Sequence, residues 1–351
     1  MEDRERLAQL PVRLLAWYDA SARVLPWREN PTPYRVWVSE IMLQQTRVEA
    51  VKPYYDRFLE AFPTVEALAA APEERVLKLW EGLGYYSRAR NLQRAAQVVV
   101  ERYQGQVPAS FEALRSLPGV GDYTAGAIAS IAFQLPVPAV DGNVLRVISR
   151  VLARRDNILD PKVKRRMEGE LAGVLPARVG DFNQSLMELG AMVCLPNGAP
   201  LCEKCPATSF CRALREDRIG ELPVKAPKKA RRIEERRVYL IFSDDGVALR
   251  RRPGKGLLAG LWEYPNELAG EETIPAALGL SPADLELVGT GRHIFTHIEW
   301  RMTAYTARTE GLALPEGWVW ADREALAREY AVPNAFQAFS EYVKGKLGYF
   351  S

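Results

Sequence analysis

Histidine is nearly absent from this chain: of 351 residues only His293 and His297 carry an imidazole, both late in the sequence. Chemistry in the first two thirds therefore has neither a His base nor a His-ligated metal to draw on. Cysteine is almost as scarce, and the four thiols, Cys194, Cys202, Cys205 and Cys211, all fall within one short stretch. Scattered structural thiols would rarely cluster so tightly. No apolar run approaches the roughly 20 residues of a membrane helix. The opening Met1-Glu2-Asp3-Arg4-Glu5-Arg6 is charged where a signal peptide would be apolar. These gaps predict a cytoplasmic protein of the cytosol with no membrane partner. Neither sign of charge dominates. The formal net charge of +3 permits nucleic-acid binding through a local basic surface without arguing for it.

What is present is a normal globular composition, 48% hydrophobic and 26% charged, in a chain long enough to predict two domains. Up to about Leu214 the apolar periodicity is helical. Helices are predicted over Arg6–Ala20, Tyr34–Gln45, Arg47–Ala61, Glu73–Trp80, Ser87–Gln104, Phe111–Ser116, Asp122–Phe133, Asn143–Ala153, Pro161–Val174 and Phe182–Val193. The stretch Glu216–Arg237 is rich in Pro, Lys and Arg, including Lys228 and Lys229, which predicts a solvated, partly extended linker. Beyond it the period changes. Val238–Phe242 and Val247–Arg251 flank a Ser243-Asp244-Asp245-Gly246 turn, Glu286–Phe295 and Glu299–Ala307 read as further strands, and Asp322–Tyr330 and Asn334–Lys346 as helices. The expected architecture is an all-α domain over 1–215, a linker over 216–236 and a smaller α+β domain over 237–351. Monomer is the default oligomeric state.

Three features carry chemistry. Leu117-Pro118-Gly119-Val120-Gly121 lies between two predicted helices. Its glycines predict a tight turn with positive φ angles, exposing backbone N–H groups of Gly119, Val120 and Gly121 to an anion at the next helix. Such a helix-hairpin-helix holds a DNA phosphate without reading sequence; the plain alternative is an ordinary helix connection. Glu40 stands among apolar neighbours in Val36-Trp37-Val38-Ser39-Glu40-Ile41-Met42-Leu43, and Asp141 precedes a helix in Val140-Asp141-Gly142-Asn143. A solvated helix face and an N-cap are their plain readings. An acid kept protonated by burial, paired with an anion facing a cationic sugar, is what glycosidic cleavage requires. The cysteines form C-x7-C-x2-C-x5-C, which suits an iron–sulfur cluster or a Zn ion and makes disulfides improbable in a reducing compartment.

Together these residues resemble the MutY family of adenine DNA glycosylases, within the helix-hairpin-helix superfamily that also includes endonuclease III. The resemblance rests on Leu25-Pro26-Trp27-Arg28, on Trp37-Val38-Ser39-Glu40 running through Met42-Leu43-Gln44-Gln45-Thr46, and on Trp80-Glu81-Gly82-Leu83-Gly84-Tyr85-Tyr86-Ser87-Arg88. Leu117–Thr124, Val140–Val144 and Phe182-Asn183-Gln184 follow in family order. It implies that Glu40 protonates adenine and that Asp141 stabilises the sugar cation, with Tyr123 and Asn143 supporting them. Arg28 and Gln184 would line the adenine pocket. Gln45 and Tyr85 would wedge into the duplex, with Thr46 and Leu83 near the opposite base. Superfamily members that also nick DNA carry a Lys where this chain has Tyr123, so the resemblance implies a glycosylase that leaves an abasic site. For the cysteines it implies a [4Fe–4S] cluster, although the first gap is one residue longer than in the family.

Gly256-Leu257-Leu258-Ala259-Gly260-Leu261-Trp262-Glu263-Tyr264-Pro265 resembles the family's closing Nudix-like domain. Glu267, Glu271 and Glu272 lack the arrangement of a Nudix metal helix, which implies recognition without pyrophosphatase activity. Phe295-Thr296-His297 resembles the loop that senses 8-oxoguanine, with Thr296 where Ser is usual. The implied partner is double-stranded DNA bearing A opposite 8-oxoguanine or G, with the protein nucleoid-associated in a bacterial cytosol when bound. The competing expectations are an endonuclease III-like glycosylase/lyase and a non-catalytic iron–sulfur DNA-binding protein.

Overall fold

The computed structural model describes residues 1–227, 230–271 and 273–349. Lys228, Lys229 and Glu272 of the features above lie outside the described residues. The chain forms two compact units, Met1–Ala70 with Asn91–Pro227, and Ala71–Arg90 with Lys228–Ser351. Nothing in the sequence periodicity marks residues 71–90 as part of the second unit.

In chain order the helices before the linker are α1 (Asp3–Ser21), α2 (Pro26–Glu29), α3 (Pro33–Leu43), α4 (Val48–Ala61), α5 (Val65–Ala70), α6 (Glu73–Leu79), α7 (Ser87–Tyr103), α8 (Phe111–Arg115), α9 (Asp122–Phe133), α10 (Gly142–Val151), α11 (Pro161–Ala172), α12 (Val179–Met192) and α13 (Arg212–Arg215). Local chemistry starts them. Thr32 accepts a hydrogen bond from the Arg35 N–H ahead of α3, whose first residue is Pro33, and Asp160 does the same for Lys162 ahead of α11. The core of the first unit joins Leu7, Leu10 and Leu14 of α1 to Val144, Val147 and Ile148 of α10 and Phe182, Leu186 and Leu189 of α12. Those spacings are the i, i+3, i+4, i+7 stripe of an amphipathic helix. Helix α3 differs: its residues from Val36 to Met42 are all buried, which takes Glu40 into the interior.

One glycine sets a close approach. A Cβ on Gly190 would lie 2.5 Å from the Asn143 Cβ, so α12 packs against the start of α10 only because that side chain is missing. At the hairpin the expectation of two positive φ angles needs correction. Gly119 has φ +74°, but Gly121 has φ −92° and serves as the N-cap of α9. A left-handed residue followed by an extended cap suffices to turn the chain into the helix.

The second unit is built on a seven-stranded sheet of described residues. Its strands are β1 (Arg232–Ser243), β2 (Gly246–Arg251), β3 (Trp262–Glu263), β4 (Asn266–Leu268), β5 (Glu286–Ile294), β6 (Ile298–Arg308) and β7 (Trp318–Ala321), and its later helices are α14 (Thr273–Ala277), α15 (Arg323–Arg328) and α16 (Ser340–Lys346). The main strand order is β3-β2-β1-β6-β5, with β4 on β1 and β7 on β2. Central β1 runs parallel to β6 from Arg232↔Ile298 to Phe242↔Arg308. It is apolar on both faces: Val238, Leu240 and Phe242 join one core cluster while Tyr239 and Ile241 join another. Its charged beginning, Arg232–Arg236, was expected in the solvated linker. It is strand because β6 offers a paired edge and Glu234 there accepts hydrogen bonds from Arg232, Arg236 and the Trp300 indole.

Candidate active site

A cavity of about 560 Å³ opens in the first unit, and Glu40, Asp141, Tyr123, Asn143, Arg28 and Gln184 all line it, as do Gln45, Thr46 and Gly121. These residues come from α2, α3, α9, α10 and α12 and from the turns before α9, before α10 and after α3. Glu40 is 6% exposed. Burial pushes its carboxyl up to about 7, with the neighbouring Asp141 charge adding to the rise and a hydrogen bond from Tyr123 opposing it. The Tyr123 hydroxyl donates to Glu40 Oε2 at 2.7 Å. Burial, reinforced by Glu40 and Asp141, holds that phenol well above its ordinary value, so it remains a donor.

Asp141 takes the N-cap position that its place in the sequence allowed, and it also lines the cavity. As N-cap of α10 its Oδ1 accepts the Val144 N–H at 2.8 Å, while Oδ2 accepts from Asn143 Nδ2 at 2.7 Å. Burial raises its carboxyl above the usual value, and these donors work against the rise. Asn143 is itself held: Arg146 Nη2 donates to its Oδ1 and to Gly190 O, each at 2.8 Å. The same guanidinium donates through Nε to Cys194 O at 2.8 Å. Neither Arg146 nor this connection to the cysteine loop was anticipated from sequence.

Cys194, Cys202, Cys205 and Cys211 line one apolar cavity with Val147, Val151, Leu189, Val193, Leu214 and Ile219. Arg150 Nη1 donates to Cys194 Sγ at 3.3 Å and to Leu195 O at 2.8 Å. Burial pushes the Cys205 thiol up to about 12 and raises Cys202 and Cys211. Among the described residues no three His, Cys, Asp or Glu side chains converge on a single-ion site. The long first gap closes where Leu201 N–H donates to Val193 O at 2.9 Å, and Gly198 takes φ +72° at its exposed turn.

Residues 38–172 match the family model of the HhH-GPD superfamily base excision DNA repair proteins, and 237–342 match that of the NUDIX domain. Adenine DNA glycosylase of Rattus norvegicus is 38% identical over 95% of this chain and 78% of its own length. The chain belongs to the adenine DNA glycosylase family. The enzyme of that name from Buchnera aphidicola subsp. Baizongia pistaciae is 35% identical over 72% of each chain. Among solved structures, a thermostable thymine-DNA glycosylase aligns with TM-score 0.54 and 29% identity over 61% of this chain and 97% of its own. A trapped endonuclease III–DNA covalent intermediate aligns with TM-score 0.52 and 24% identity over 62% and 99%, a likeness of fold alone.

The cavity also holds a residue that sequence reading missed. Glu188 is 2% exposed. Arg23 grips it through Nε to Oε1 at 2.7 Å and Nη2 to Oε2 at 2.8 Å, and Arg28 Nη2 reaches Oε2 at 2.9 Å. Burial would raise this carboxyl, but the two guanidiniums outweigh it and hold it at about 2. Arg28 Nε also donates to Gln184 Oε1 at 3.0 Å. Glu188 lies four residues after Gln184 on α12, one turn along the same helix face.

The remaining site candidates are exposed or on loops. Gln45 and Tyr85 are both exposed and both non-glycine residues in the left-handed region, at φ +57° and +47°. Held strain of that kind clusters at functional sites. Thr46 is half-buried, its hydroxyl directed to Gln44 O, whereas Leu83 and Val120 are buried. In the second unit Phe295 N–H donates to Ile298 O at 2.8 Å, closing the β5–β6 turn with Thr296 and His297 exposed at its tip. Phe295 packs edge-on against His293 and Trp300. Glu267 accepts from Tyr239, Thr273 and the Ile274 N–H, and Glu271 accepts from the Leu268 N–H. The former's Oε2 is committed to the start of α14 and its Oε1 to Tyr239 of β1. No helix of the described residues is long and apolar enough to cross a membrane.

Proposed function

We propose that this protein removes adenine paired with 8-oxoguanine or guanine from double-stranded DNA, hydrolysing the N-glycosidic bond and leaving an abasic site. The observation that carries the reading is the pairing, in one cavity, of a carboxyl raised to about 7 on Glu40 with an Asp141 carboxyl held by two N–H donors. Near neutrality Glu40 retains a proton, which it delivers to N7 of the flipped adenine as the bond to C1′ lengthens. The electron pair leaves with the base. Positive charge that develops on the sugar faces Asp141, oriented by Asn143 and the Val144 N–H, and is discharged when water adds to C1′ and gives up a proton. Extrusion of the nucleotide costs a few kcal/mol, offset by Gln45 and Tyr85 entering the stack and by a phosphate held at Gly119–Gly121. Thr296 and its neighbours Phe295 and His297 read the 8-oxoguanine.

Strand cleavage requires an amine nucleophile, and at the position where bifunctional superfamily members carry lysine this chain has the protonated phenol of Tyr123. Lys164 also lines the cavity, with its ammonium 3.5 Å from Glu168. The four-thiol cavity suits a [4Fe–4S] cluster: four cysteines line one apolar space, and the Arg150 guanidinium beside Cys194 Sγ supplies a cation to balance a thiolate-held cluster. Cys194, Cys202, Cys205 and Cys211 would hold it. Bound there, the cluster would order the loop that Arg146 ties to Asn143.

End-labelled duplexes with A opposite 8-oxoguanine, A opposite G, and thymine glycol opposite A test the proposal, each analysed with and without alkali. Alkali-dependent cleavage at the A strand, strongest opposite 8-oxoguanine, is the expected outcome. Alkali-independent nicking at thymine glycol, or efficient borohydride trapping, would overturn it in favour of a glycosylase/lyase. Binding without cleavage would leave only a DNA-binding protein. Stoichiometric zinc with no iron absorbance would overturn the cluster assignment.

A further inference from the structure

Tyr85 sits on a loop whose backbone carbonyls are tied off one after another. Asn334 Nδ2 donates to Gly82 O at 2.8 Å, Arg88 Nη2 to Leu83 O and Gly84 O at 3.1 Å each, and the Trp80 indole to Gly84 O at 3.1 Å. Just before the loop stand Lys78 and Glu81. In sequence they are an ordinary i, i+3 ion pair, which on a helix surface would contribute a few tenths of a kcal/mol. In the second unit they do more. The Lys78 side chain is 13% exposed, and its ammonium donates to Glu81 Oε2 at 2.5 Å, Leu326 O at 2.9 Å and Tyr330 O at 3.0 Å. An ammonium has three donors, and all of them are used. Glu81 Oε1 in turn accepts the Val332 N–H at 2.6 Å. At the loop's other end the Tyr85 hydroxyl lies 3.4 Å from Thr296 Oγ1, at the tip of the β5–β6 turn.

We propose that Lys78 and Glu81 form a positioning latch that fixes the Gly82–Tyr85 loop to the segment from Leu326 to Asn334. Tyr85 and Thr296 then present one preorganised surface to the base opposite the excised adenine. This rests on the reading above that the Phe295–His297 tip senses 8-oxoguanine. The physical reason is entropic. Two separately mobile elements must each be ordered when DNA binds, and that cost weakens a contact whose purpose is to distinguish two similar bases. A latched pair has met the cost on folding. Neither latch residue touches DNA in this scheme.

The test uses the full-length protein with Lys78→Met, which keeps the stem and removes the three donors, and with Glu81→Gln. Single-turnover excision is measured on duplexes with A opposite 8-oxoguanine and A opposite G, and amide hydrogen exchange is followed over 82–86 and 326–334. Lys78→Met should lower the preference for 8-oxoguanine over G on the order of tenfold, through loss on the 8-oxoguanine duplex alone. Glu81→Gln should lower it less, and both should speed exchange in both segments. Equal losses on the two duplexes, or faster exchange with the preference intact, would overturn the positioning role and leave a structural staple. Unchanged exchange would overturn the latch itself. A wild-type protein with no preference for 8-oxoguanine would instead sink the reading of the tip and with it the latch's part in discrimination; the fastening would then stand or fall on exchange.

Discussion

Two walls of the same cavity each carry a buried glutamate, and the two titrate far apart. Glu40 has a tyrosine hydroxyl as its hydrogen-bond partner and is raised to about 7. Glu188 is the less exposed, at 2% against 6%, yet two guanidiniums hold it at about 2. Burial alone would push both upward. What separates them is the partner brought along, a neutral phenol in one case and a bidentate Arg23 with Arg28 in the other. A single cavity thus holds one glutamate poised to keep its proton near neutrality and another held as an anion by its arginine partners.

The largest effect should come from removing the donor. Glu40→Gln is expected to lower single-turnover excision by about 10²–10⁴-fold while leaving DNA affinity near wild type; retained turnover would break the assignment. The same variant sharpens the contrast in stability. A carboxyl raised from 4.5 to about 7 stabilises the fold fully below pH 4.5 and loses that contribution as pH rises through 7. At pH 8 Glu40→Gln should therefore be more stable than wild type by on the order of 2–3 kcal/mol, read by denaturant unfolding.

Arg23→Met attacks the other wall. Glu188, lowered from 4.5 to about 2, contributes stability above pH 4.5 that is lost as pH falls towards 2. With its bidentate partner gone, the protein should lose about 2 kcal/mol near neutrality and progressively less in acid. A loss independent of pH would point to packing instead. The pH profile of excision should fall as pH rises through 7, roughly tenfold per unit beyond it, with a flat profile in Glu40→Gln. The smallest effect concerns Asp141: Asn143→Ala removes its described side-chain donor and should cost about 1–2 kcal/mol of transition-state stabilisation, seen as a slower excision rate at unchanged affinity.

Much of the first unit was legible because its helices carry strong 3.6-residue periodicity and, at Asp141, a local cap. Glu40 could be suspected from its apolar neighbours on α3. Glu188 could not be singled out with the same ease, because a glutamate among Leu, Met and Gly on α12 acquires meaning only when Arg23 and Arg28 arrive from more than 150 residues away. The charged start of β1 was read as linker for a related reason: charge predicts solvent unless a neighbouring strand, here β6, supplies the ladder. The short strands β3, β4 and β7 have too few residues to show an alternating pattern.

The sequence by itself determined the helical and mixed halves, the hairpin, the thiol quartet and the identity of the two carboxylates proposed to act on the sugar bond, because each is a matter of local spacing and residue chemistry. Only tertiary structure decided that Glu40 keeps its proton while Glu188 loses it, that Arg146 joins Asn143 to the cysteine loop, and that residues 71–90 belong with the second unit. Those outcomes depend on desolvation and on partners distant in the chain, and neither is a property of a short stretch of sequence.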